Sequence, residues 1–160
     1  MELSLFRVIF TAFPESLLLT YVGLGLLGVK LKWEDYITIG FFYIVGLVIV
    51  RNVFDGYGLH VLILCLLLAL LIKGIAKLDL SISVIASLFG FIILFISEAI
   101  FISLITGFLE IGILEIIQLN NFYYLLISHL SKSLLFIAFL LIHFLNFKLV
   151  DIGNEIDVKA

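Results

Sequence analysis

Charge is scarce in this chain. Only 13% of its 160 residues are Asp, Glu, Lys or Arg, whereas about a quarter is usual for a soluble domain. A water-soluble fold would have too few polar side chains to cover its surface. Basic runs are missing, which removes the usual footprint of nucleic-acid binding. There is one cysteine, Cys65, inside an apolar run, so no disulfide framework exists and redox compartment is not legible. A cleavable signal peptide is not expected either. The first apolar run, Leu3 to Val29, is too long, contains Arg7 and Glu15, and is followed by no small-residue cleavage pattern. No HExxH, glycine-rich phosphate loop or Ser/Lys arrangement occurs, so neither enzyme activity nor a cofactor is expected. An intramembrane hydrolase, which needs few polar residues, is left open.

What remains is apolar: 64% of the residues, with a mean hydropathy of +1.37. Lipid must be the main solvent, and lipid permits only helices or a closed barrel. Barrel strands alternate apolar and polar residues, whereas "LHVLILCLLLALLI" is continuous. The expected fold is all-α, a polytopic membrane bundle of about five helices spanning 3–29, 34–53, 57–73, 80–108 and 122–148. The third is short, roughly 25 Å at the helical rise. The fourth is long enough to tilt, or to break near Thr106 and Gly107. After it, "FLEIGILEIIQLNN" reads as an interfacial segment with Glu110 and Glu115 at the headgroups. Residues 149–160 form a short cytoplasmic tail. Pro14 is read as a kink within the first span rather than its start.

Lysines set the sidedness. Lys30 and Lys32 follow span one, Lys73 and Lys77 follow span three, and Lys148 and Lys159 follow span five. The opposite connections carry Arg51 and no lysine. Positive charge favours the cytoplasm, so the N-terminus is expected outside and the C-terminus inside, in a multi-pass bacterial cytoplasmic membrane protein.

The embedded polar residues are the candidate site: Glu15, Arg51, His60, Glu98, His129 and Lys132. By helical rise, Glu98 and Lys132 both lie about 15 Å below the outer end, with Glu15 near the same level. An unpaired charge at the bilayer centre costs about 2.5–3.5 kcal/mol on insertion scales, so Glu98 should turn inward. Ser83, Ser87, Gly90 and Glu98 share one face of span four. His129, Lys132, His143 and Asn146 share one face of span five. The two stripes are expected to oppose each other. A Glu98–Lys132 pair that fixes helix register weighs evenly against a role in sensing. Gly23, Gly25 and Gly28 are read as close-packing positions. Cys65 and His60 are about 140° apart around one helix, which excludes a thiol peptidase pair. His129 and His143 are about 21 Å apart along theirs and share no metal. No metal is expected; a three-span set of His60, Glu98 and His129 is the one arrangement left open. The bland reading of His60 is a helix anchor at the outer interface.

Three stretches together resemble a known family. "FPESLLLTYVGLGLLGVK", "VRNVFDGYGLHVLILCLLLALLIK" and "SLFGFIILFISEAIF" are similar, in order and spacing, to the N-terminal membrane region of sensor histidine kinases from Gram-positive, spore-forming-type bacteria. The resemblance covers residues 13 to 148. It makes Pro14, Glu15, Arg51, Gly58, His60 and Glu98 the marker positions. The turn reads Asp55-Gly56-Tyr57 where a proline-containing turn is expected, and no phosphoacceptor or ATP-binding domain follows Lys148. The resemblance thus implies a sensory or regulatory membrane module without kinase activity. Its partners would be the lipid bilayer, a cytoplasmic kinase or regulator, and other copies of itself, with no nucleic acid. The alternative is a small transporter or substrate-binding subunit using buried Glu98, Lys132 and His129.

Overall fold

The computed structural model describes residues 5–53, 59–109 and 121–152, with side chains for 10–52, 59–108 and 122–152. The Asp55–Tyr57 turn, Gly58, Glu110, Glu115 and the tail from 153 onward lie outside the described residues. Six α-helices are described: α1 (Leu5–Leu26), α2 (Trp33–Val53), α3 (Leu59–Ala76), α4 (Leu80–Leu109), α5 (Asn121–Leu130) and α6 (Ser133–Leu145). No strand occurs among the described residues.

By length and composition α2, α3 and α4 are each able to cross a membrane. The last two helices qualify only together, as one span broken by a 54° bend. The expected uninterrupted span over 122–148 is therefore corrected: helix stops at Leu130 and restarts at Ser133. Span four goes the other way. It runs unbroken for 30 residues, about 45 Å of helix, with Thr106 donating to the Ile102 carbonyl at 2.9 Å instead of marking a break. Pro14 lies inside α1, which continues through it.

α1 is the central helix. It packs on α2, α4, α5 and α6, while α2–α3, α3–α4 and α4–α6 contacts form an arc around it. Two contacts show that α4 runs antiparallel to α1. The backbone of Ala86 faces Gly23, and a Cβ placed on Gly90 would sit 2.7 Å from the Leu19 carbonyl oxygen. α6 runs parallel to α1, because Glu15 meets Lys132 and Gly25 meets Ile142. The arc is open on one side, since α2 and α6 share no extensive contact.

A central helix needs apolar or small residues on several faces. Leu19, Val22 and Leu24 of α1 are fully buried, and so are Ser16 and Thr20. These two hydroxyls bond back to the Phe13 and Ser16 carbonyls at 2.8 Å each, so their burial leaves no unmet donor. The outward faces are apolar instead. Leu62, Leu66 and Leu70 of α3 recur every four residues and are all exposed, on a helix long and apolar enough to cross a membrane.

The chain closes at the end where α1 and α6 both finish. Asn146 adopts a left-handed conformation and its N–H returns to the Leu141 carbonyl, ending α6. The Leu149 N–H then donates to the Leu26 carbonyl at 2.8 Å and the Ile152 N–H to that of Leu27 at 3.0 Å. Carbonyls that α1 cannot satisfy within itself are thus capped by the last described residues. The segment 149–152 is therefore docked on the end of α1.

Candidate functional site

The site begins with Pro14. Proline has no N–H, so the carbonyl four residues earlier, at Phe10, loses its helical partner. The imidazole of His129 lines a cavity together with Pro14. One turn further along, Lys132 Nζ lies 2.9 Å from Glu15 Oε2 and donates to Ser128 Oγ at 3.1 Å. Lys132 is 5% exposed, so the ammonium is buried, while the Glu15 side chain is 18% exposed. The polar face of span five continues toward the far end. His143 Nδ1 lies 3.0 Å from the Tyr21 hydroxyl, and Lys30 donates to Asn146 Oδ1 at 2.7 Å.

Of the expected span-five stripe, Lys132 and His143 bond to α1, and Asn146 bonds to Lys30 just past its end. The expectation that they oppose the span-four stripe is corrected. Ser87 of α4 instead donates to the Cys65 carbonyl of α3 at 2.7 Å, and Gly90 receives the α1 backbone. Lys132 is paired with Glu15 rather than Glu98. Glu98 is half-buried at the edge of its stripe and feels the charges of Glu15, Lys132 and Arg51. Among the described residues it forms no ion pair.

The residue of α4 that does reach span five is Ser97. It is 1% exposed, and its hydroxyl donates to the Ser131 carbonyl at 2.6 Å and accepts the Leu134 N–H at 3.1 Å. The first belongs to the break between α5 and α6 and the second to the first turn of α6. One side chain thus supplies the partners that the interrupted helix no longer does. Ser97→Ala should strand a buried acceptor and donor and destabilise the protein by about 1–3 kcal/mol. The check is the unfolding midpoint in detergent; a midpoint equal to that of the unaltered protein would show that the break needs no support. The signal for this break was present in "SHLSKS", where three serines flank Lys132.

On the open side of the arc, α1, Trp33 at the start of α2 and residues of α5, the break and α6 line an open cavity of about 520 Å³. Glu15, Lys132 and His129 lie along it with Tyr21, Trp33 and Phe139. The aromatic end is tightly built. Tyr21 stacks on Trp33 at 5.9 Å between ring centres and packs on Phe139 at 4.8 Å. Of the six residues expected to form a site, Glu15, His129 and Lys132 are gathered here, and Glu98 adjoins them electrostatically. Arg51, exposed at the end of α2, and His60, in the first turn of α3, do not line the cavity. Tyr21 and Trp33 were not legible as site residues, because aromatic residues near span ends read as ordinary interfacial anchors.

No group of three His, Cys, Asp or Glu side chains among the described residues is placed to hold a metal ion, so His60, Glu98 and His129 are not such a set. No protein-family model, curated protein or solved structure matches the chain.

Proposed function

We propose that this chain is an integral membrane sensory or regulatory module, crossing five times with its C-terminus in the cytoplasm. The sidedness is supported by Lys30, Lys32 and Lys148, which lie together where α1 and α6 end. A single cysteine placed at Lys159 in a Cys65→Ala background should resist a membrane-impermeant maleimide in intact cells. Labelling from outside would overturn the orientation.

One observation carries the sensory reading: the lateral cavity ends on the Glu15–Lys132 pair, beside the break in span five. A molecule seated between α1 and α6 bears directly on the bend. Any change of bend moves α6 and the segment docked on the end of α1, which is the cytoplasmic end in this orientation. A signal shifts such an equilibrium only if it binds one bend better than the other. Spin labels at Ile37 and Leu141, on α2 and α6, would report the bend in nanodiscs. Addition of a membrane extract from producing cells should redistribute the label separations. A single separation unchanged by any extract would sink the sensory reading.

Transport is the second reading, and the buried ion pair next to His129 favours it, because such groups line proton and solute routes. Proton flux or solute uptake in liposomes that Glu15→Gln abolishes would select it.

A further inference from the structure

We infer that the lateral cavity is a binding site for a lipid-soluble ring compound carrying a hydroxyl, of the alkylphenol or quinol class. The inference rests on the reading of this cavity as the signal site and names what it would recognise.

The cavity size suits a small amphiphile, since sites for compact organic ligands run from about 300 to 1,000 Å³. Its walls suit a ring. Tyr21, Trp33, Phe136 and Phe139 all line it, and flat partners stack on such surfaces. The polar end defines the head group. An ammonium has three donors. Lys132 gives one to Glu15 and one to Ser128, which leaves one for an acceptor in the cavity. A neutral imidazole has one donor and one acceptor nitrogen. A neutral His129, which lines the cavity, thus presents an acceptor nitrogen to it. The site therefore offers one N–H and asks for one O–H. A hydroxyl on a ring satisfies both at once. A bulk acyl chain satisfies neither. A carboxylate would compete with Glu15 for Lys132 and has no proton for His129.

Trp33 is the chain's single tryptophan, so the cavity contains its own reporter. The protein in nanodiscs is titrated with 4-hexylphenol and, separately, hexylbenzene, and Trp33 emission is followed. Saturable quenching by the phenol is expected, with affinity on the order of tenfold above hexylbenzene at equal membrane mole fraction. His129→Phe should bring that ratio close to one. The Glu15→Gln/Lys132→Met double variant, which leaves no buried charge unpaired, should do the same. Equal quenching by both compounds would mean that only a hydrocarbon tail is held, and would overturn the proposal, as would quenching that never saturates. The spin-label experiment separates this from the sensory reading. Phenol binding with unmoved labels supports the ligand class and sinks only the sensing role. Labels that move with an extract, in a protein that shows no phenol preference, sink the ligand class alone.

Discussion

Lys132→Met alone is expected to destabilise the protein by about 3–5 kcal/mol, the largest effect of any single change at the cavity. Lys132 is held close against Glu15 and is almost wholly buried. Removing the ammonium leaves a carboxylate in a medium where an isolated charge is very costly, so Glu15 must take up a proton or drag the helix toward water. The remedy identifies the partner. Adding Glu15→Gln to Lys132→Met should recover most of the loss, because no unpaired charge is then buried. Adding Glu98→Gln instead should recover little. The measurement is the unfolding midpoint of the four variants in one detergent. Rescue by Glu98→Gln and not by Glu15→Gln would reassign the pair.

Gly23→Val is the second large effect, expected at about 3 kcal/mol. A side chain there meets the backbone carbonyl of Ala86, and a backbone has no rotamer with which to move aside. The same applies in reverse at Gly90, which faces the Leu19 carbonyl. α1 and α4 would have to separate, and with α1 at the centre every other contact in the bundle would loosen. Gly74 is the control. A Cβ at that position has nothing within 4 Å, so Gly74→Ala should raise stability by about 0.5–1 kcal/mol through helix propensity alone. Comparable losses at Gly23 and Gly74 would show that the glycines act through flexibility rather than close approach.

The helices themselves were legible because lipid leaves one way to satisfy a backbone in a long apolar run. The bounds of α2 and α4 follow the expected spans within about two residues, the usual scatter of helix ends. The face expected to carry His129, Lys132, His143 and Asn146 was legible only in part, because the helix breaks at 131–132 and ends before Asn146. The partner of Lys132 was not legible. Glu15 and Glu98 are both single acids in apolar helices at similar depth, and depth was the only coordinate available from rise per residue. Choosing between them requires knowing which helix is central.

Composition and periodicity by themselves determined that the described chain is a set of apolar helices, because solvent energetics act on each segment separately. The pairing of Lys132 with Glu15, the break held by Ser97 and the aromatic cavity beside α1 were decided by packing. Each depends on contacts between residues far apart in the chain: Ser97 with Ser131, Tyr21 with His143, Gly23 with Ala86. Such contacts follow from the order of the helices around α1, and no local pattern encodes that order.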